Sequence, residues 1–259
     1  MICSTLNEFW TKFFMLGNEQ SSGPEMIYRG TTDQIFQLIP SIGRGTKDGV
    51  VGDINSLEDD LMSEFKRLTV PLLKQPPTSD FEWLFLAQHY GLPTRLLDWT
   101  SNPLVALFFA SEGDDDKDGV VHYLQHMVSD QYNLFDYKTA NYTEEAARGP
   151  FGWIALQPQQ SKVIFIRPRY TDDRYVNQKS VFSCPKDPFS PLEHPDKKEF
   201  IVRGEWESEI RKRLYTMGMS TSFIYPGLAG VTSDIKKLKF NPVVSGRMQI
   251  LSVRGELKF

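Results

Sequence analysis

The sequence predicts an α+β fold: a single domain with a central mixed or antiparallel sheet and helices packed early in the chain. Three observations carry this. Apolar residues recur at helical spacing through much of the first 111 residues, strand-like runs dominate from Gly119 onward, and the two never alternate as a parallel βαβ array would require. At 259 residues, 40% hydrophobic and 13% aromatic, the chain can bury a sizeable core.

Residues 1–17 place Leu6, Phe9, Trp10, Phe13, Phe14 and Leu16 on one side of an amphipathic helix. Its polar face is not basic, so it is expected to pack on the body of the protein rather than on a membrane. We therefore divide the chain into this helix, 1–20, and a domain, 21–259. Ser21-Ser22-Gly23-Pro24 breaks the helix. Residues 26–29 read as a strand that Gly30 ends, letting a ligand or another backbone come close. Residues 42–55 are Gly-rich and charged, a loop, and 56–68 read as a helix capped by Ser56.

The stretch 81–111 organises the rest. Phe81, Trp83, Leu84, Phe85, Leu86 and Ala87 are apolar nearly all round, as in a buried helix, with Ser79 or Asp80 as its cap. Gly91-Leu92-Pro93 ends it, because Gly supplies a left-handed residue and Pro93 cannot continue the ladder. Residues 94–99 read as extended. Ser101 or Asn102 caps a second buried helix with Pro103 in its first turn. Between the helices lies a polar cluster of Gln88, His89, Tyr90, Thr94, Arg95, Asp98, Thr100 and Ser101, which is either a structural network or a site. On an extended segment Arg95 and Asp98 fall on opposite faces, so each is expected to pair with another element.

Strands follow at 119–125, 153–156, 163–166, 181–183 and 199–202. Residues 128–149 are tyrosine-rich without a clear period and read as a long loop or peripheral helix. Residues 149–152 form a turn. A helix over 205–217 points Ile210, Leu214 and Met217 inward, with Gly218 ending it; Glu205, Glu207 and Glu209 near its start offset the macrodipole. A turn and a last helix fill 223–238, and 248–253 read as a final strand.

The net charge of −4 argues against a general nucleic-acid or anionic-membrane binder. Only Arg167, Arg169, Arg174 and Lys179 would favour a nucleic-acid-acting toxin, and a solvated charged face explains them equally well. Cys3 and Cys184 stand far apart with no metal-ligand spacing, so no metal is expected and a reducing cytoplasm is. No apolar run is long enough to span a bilayer, and the start of the chain lacks a basic signal-peptide region, which favours a cytoplasmic protein without membrane contact. Dinucleotide, P-loop, zinc-protease and hydrolase-elbow motifs are missing.

QHYGLPTRLLDWT followed by NPLVALFFA closely resembles the signature of the FRG domain family. Tyr28-Arg29-Gly30 resembles the aromatic-Arg-Gly motif that names it, and Leu38-Ile39-Pro40-Ser41 through Arg44 resembles the element that follows. Glu58 and Phe65-Lys66 fit the same pattern, and 178–182 and 223–230 fit more loosely, so the resemblance spans roughly residues 20–235. A fainter likeness, in the order of elements, is to arginine-serine-glutamate ADP-ribosyltransferases. It implies an ADP-ribosyltransferase-like fold and NAD as a substrate, with Arg29 matching the phosphate-holding arginine and Thr100-Ser101 part of the nicotinamide-pocket strand. Gln178 falls near the place of the glutamate, and a Gln cannot act as a general base.

From residues alone, an Arg at a strand end beside Gly suits either a bidentate phosphate clamp or a buried pair with Asp98 or Glu58. The resulting expectation is a polar cleft lined by Arg29, His89, Tyr90, Thr100, Ser101 and Gln178. Arg29, His89 and Gln178 would serve chemistry, and Arg29, Gly30, Tyr90, Arg95, Asp98, Thr100 and Ser101 would hold a nucleotide-like small molecule. Such a protein would be an NAD-directed effector of a toxin or antiviral-defence kind, with a protein acceptor or partner. A non-enzymatic ligand- or protein-binding module is the rival reading.

Overall fold

The computed structural model describes residues 1–18, 26–44, 53–113, 116–125, 128, 132–136, 163–243 and 247–250. The expected break at 21–24, most of the loop 42–55, the stretch 128–149 apart from 132–136 and one neighbouring residue, the turn 149–152, the strand 153–156 and positions 251–253 lie outside them.

The described helices are α1 (Leu6–Asn18), α2 (Ile54–Thr69), α3 (Asp80–His89), α4 (Pro103–Ala110), α5 (Asp173–Gln178), α6 (Gly204–Thr216), α7 (Thr221–Ile224) and α8 (Leu228–Lys239). The strands are β1 (Ile27–Thr31), β2 (Leu97–Thr100), β3 (Gly119–Leu124), β4 (Tyr132–Asp136), β5 (Val163–Arg167), β6 (Ser180–Pro185), β7 (Lys198–Val202), β8 (Phe240–Val243) and β9 (Arg247–Ile250). The first seven strands form one sheet in the order β4-β5-β6-β2-β1-β3-β7, antiparallel except for the edge pair β4–β5; β8 and β9 form a hairpin. The expected α+β class with a mixed sheet is therefore found.

Pairing register sorts the strand residues onto two faces, since paired residues of antiparallel strands share a face and neighbours alternate. One face is covered by helices in two groups. Phe9, Trp10, Phe13 and Leu16 of α1 pack with α4 and α6 against Tyr28, Val121 and Phe200. Residues of α2 and α3, among them Met62, Phe81 and Phe85, pack against Ile164, Ile166 and Phe182. The opposite face, with Ile27, Trp99, Phe165 and Val181, is covered by Leu38 and Leu192 from connecting segments. Asp98, Thr100 and Ser180 lie on the helix-covered face between its two apolar groups.

Local chemistry explains the boundaries. Ser79 caps α3 by accepting from the Glu82 backbone N–H. Gly91 (φ +84°) ends it in a Schellman turn, with Gly91 N–H donating to the Gln88 carbonyl and Leu92 N–H to the Ala87 carbonyl. Asn102 caps α4, its side chain accepting from Leu104 N–H. Gly30 lies under α4: a Cβ there would stand 2.0 Å from the Ala106 carbonyl oxygen, so the backbone that comes close is a helix and not a ligand.

Two expectations are corrected. Asp53, not Ser56, caps α2, because the helix begins two residues earlier than its apolar spacing indicates. Met217 is 42% exposed, since the last turn of α6 runs past the core that Ile210 and Leu214 enter. Glu207 lies in the first turn of α6 as expected, and is in addition buried and paired with Arg211 at 3.1 Å, one turn along.

Candidate functional site

The C-terminal end of α3, the N-terminal end of α5 and the segment after α7 enclose a groove of about 480 Å³ lined by His89, Asp172, Asp173, Arg174 and Tyr225. At its inner end a polar recess of about 50 Å³ opens among Gln88, Asp98, Tyr175, Gln178 and Ser180, with His89 and Arg174 lining both spaces. The recess therefore falls on the polar strip between the two apolar groups of the helix-covered face.

Each side chain there is held by an identifiable contact. Gln88 donates from Nε2 to Asp98 Oδ2 at 3.0 Å and accepts from the Thr94 hydroxyl through Oε1. Gln178 donates from Nε2 to the Ile224 carbonyl at 2.9 Å, which leaves its Oε1 without a partner among the described residues. The Ser180 hydroxyl likewise makes no hydrogen bond among them. Tyr175 donates its hydroxyl to the Phe85 carbonyl at 2.9 Å, and burial pushes its phenol well above the usual range, so it remains neutral. His89 Nε2 stands 3.7 Å from Asp172 Oδ2, too long for a hydrogen bond, while Nδ1 is buried without a partner among the described residues. Burial, reinforced by the Arg174 charge and opposed by Asp172, lowers the His89 pKa, so the ring is neutral at neutral pH.

Arg174 donates from Nη1 to the His89 carbonyl at 3.2 Å, and its guanidinium carbon lies 5.0 Å from the centre of the Tyr225 ring. Asp172 caps α5 through Oδ1, which accepts from the backbone N–H of Arg174 and Tyr175. Lys179, in the left-handed region at φ 48°, closes the helix and turns the chain into β6.

Of the residues expected at a site, His89, Asp98 and Gln178 do meet around the recess. Tyr90 stands beside His89, ring centres 4.9 Å apart, and is 72% exposed. Arg29, Thr100 and Ser101 are not among the residues that line the groove or the recess. Tyr28 pairs with Thr100, so the Thr100 side chain shares the helix-covered face while Arg29, one residue on, points to the other. Thr100 is buried and donates its hydroxyl to the Gln178 carbonyl, and Ser101 N–H donates to the Lys179 carbonyl at 3.1 Å. Both residues thus fix the α5–β6 corner.

Arg95 is also displaced from the expected ligand set. It is fully buried, gripping the Glu58 carboxylate through Nε and Nη2, with further bonds to Asn55 and the Lys186 carbonyl. Burial pushes the Glu58 carboxyl upward and Arg95 opposes it, the usual tension of a buried pair. Arg29 does not take Glu58. β1 and β2 share one registered pair, and where the next would set Gly30 opposite Asp98, the Asp98 carbonyl accepts from Arg29 Nη1 instead. That guanidinium fills the fork between the strands, 3.9 Å from Asp98 Oδ2, with Nε buried and unpaired among the described residues.

Among the described residues no group of three or more His, Cys, Asp or Glu could hold a metal ion, and no helix is long and apolar enough to cross a membrane. The family model of the FRG domain matches residues 24–119, so this part of the chain is an FRG domain. No curated protein and no solved structure matches the chain. The matched segment supplies Gln88, His89 and Asp98; Arg174, Tyr175, Gln178 and Ser180 come from beyond it. Gln88 and Arg174 stood in sequence clusters that gave them no role. Ser180 and Tyr225 fall in the segments 178–182 and 223–230, whose loose fit to the family pattern gave neither a role, because they reach the groove through chain reversals far from the central stretch.

Proposed function

We propose that this groove binds a nucleotide of the NAD class, with the carboxamide of the nicotinamide seated in the inner recess. The observation that supports this best is the polar set at the recess: the Ser180 hydroxyl and Gln178 Oε1, which have no partner among the described residues, can donate to an amide carbonyl and accept from an amide N–H₂ respectively, and the Asp98 carboxylate, bonded to Gln88 through Oδ2, can accept a further N–H. A recess of about 50 Å³ suits a group of that size. Tyr90 and Tyr225 stand on either side of His89 and Arg174, where an aromatic ring of the ligand can lie against them.

Asp98 is the carboxylate of the recess, suited to stabilising positive charge that develops on a ribosyl carbon as nicotinamide departs. Gln178 has no such capacity. NAD consumption of this kind would fit an effector in a toxin or antiviral-defence setting.

Calorimetric titration of NAD is expected to give saturable heat that Ser180→Ala weakens roughly tenfold, the loss of one hydrogen bond in a desolvated site. Release of nicotinamide, followed by chromatography, separates an NAD-consuming enzyme from a binding module. A wild-type protein that gives no heat with NAD or with nicotinamide refutes the reading.

A further inference from the structure

Arg174 differs from the other cations around the recess in how it is held. One N–H donates to the His89 carbonyl and the guanidinium lies against Tyr225, which leaves Nε and Nη2 without partners among the described residues. Two aspartates precede it in sequence, yet it pairs with neither within 4 Å; Asp172 is turned into the first turn of α5. These contacts fix the stem and orientation of a fork at the neck of the site, the place where recess and groove share His89 and Arg174 as lining residues. A guanidinium fixed this way has already lost much of the rotamer freedom that binding would otherwise cost it.

We propose that Arg174 is the anion-recognising fork of this groove, taking a phosphoryl group of the ligand at the neck. This rests on the nucleotide reading above and deepens it by naming the phosphate class. The wall beyond the neck carries Asp172 and Asp173, which repel further negative charge. One fork beside two carboxylates therefore favours a pyrophosphate diester with low net charge over a nucleoside triphosphate. The basic cluster containing Arg174 thereby has a role that does not involve nucleic acid.

The test titrates NAD, ADP-ribose, ATP and nicotinamide riboside into wild type, Arg174→Gln and Arg174→Ala, with melting midpoints recorded for each. The Gln variant keeps a stem against Tyr225 and one donor, and guards against a folding defect in the Ala variant. Affinity for NAD and ADP-ribose is expected to fall about 10- to 100-fold in both variants, as for loss of a bidentate charged contact, while nicotinamide riboside is unaffected. ATP is expected to bind wild type more weakly than ADP-ribose. If wild type binds ADP-ribose through Arg174 but neither NAD nor nicotinamide riboside, the nicotinamide reading fails and the fork stands. Unchanged NAD and ADP-ribose affinities in a folded Arg174→Gln protein, equal losses for nicotinamide riboside, or a wild type that binds no phosphorylated ligand overturn the proposal.

Discussion

His122 should make this protein acid-sensitive in a way that one substitution removes. It pairs across the sheet with Arg29 on one side and Glu199 on the other, on the face without helices, and is 4% exposed. Burial, together with the Lys197 and Arg29 charges, lowers its pKa to about 4. Glu199 Oε1 lies 3.3 Å from Nδ1 but forms no well-directed hydrogen bond with it, and so only partly offsets these effects. The folded ring is therefore neutral where the unfolded ring, near pH 6.5, has taken a proton. A group with a depressed folded pKa costs stability as pH falls through the window between the two values, here 6.5 down to about 4. A shift of roughly two and a half units at 1.36 kcal/mol each gives ~3 kcal/mol lost across that window. Urea denaturation of wild type and His122→Gln at pH 7, 6, 5 and 4.5 isolates the effect, because carboxylates and His89 titrate in both proteins and cancel in the difference. The stability difference between the two is expected to move by about 2–3 kcal/mol in favour of the Gln variant as pH falls. Parallel pH profiles would refute the assignment of a neutral, buried His122.

Gly30→Ala places a methyl 2.0 Å from the Ala106 carbonyl oxygen and 2.6 Å from Ala110 N, so α4 must lift from β1; a loss of at least about 1–3 kcal/mol is expected, read as a lower melting midpoint. An unchanged midpoint would show that α4 does not press on the strand. Arg29→Ala removes the charged donor to the Asp98 carbonyl at the β1–β2 fork and should cost about 1–3 kcal/mol, with Arg29→Lys losing less. Equal stability of all three proteins in urea would mean the guanidinium does not hold the fork.

Much of the fold was legible because its punctuation is local. Gly91-Leu92-Pro93 predicts the end of α3 from φ sign and ring chemistry alone, and Asn102-Pro103 predicts the start of α4 in the same way. The opposition of Arg95 and Asp98 follows from strand alternation, and the structure does send them to different partners. What the sequence does not contain is the partner's identity. Arg29 ends a short apolar run and Arg95 precedes one, and either would serve Glu58; the choice depends on β2 sitting between β1 and β6, a matter of sheet order. Helix α5 spans too few residues to show a period, and its Asp172 cap sits among charges that read as surface. Thr100 lies on the face that carries the recess, but its hydroxyl is taken up by the Gln178 carbonyl, a partner set by the α5–β6 corner and not by residue type.

The position of the recess follows from how the sheet face is covered. Two helix groups approach the same face from opposite ends, one bringing Phe9 and Phe13, the other Phe81 and Phe85, and each buries its own apolar strip. Where they stop, strands β2 and β6 present Asp98, Thr100 and Ser180, residues that neither apolar group can desolvate without cost. Thr100 is satisfied by the Gln178 carbonyl and Asp98 by Gln88, and these bonds draw the ends of α5 and α3 toward the strip. Ser180 and Gln178 Oε1 then remain as groups that the fold positions but does not satisfy. A protein can bury such groups only if solvent or a ligand reaches them, and the groove past His89 and Arg174 provides that path. The interior of this groove is therefore built jointly: the matched FRG segment contributes α3 and β2, and the residues after it contribute α5, β6 and the cation at the neck.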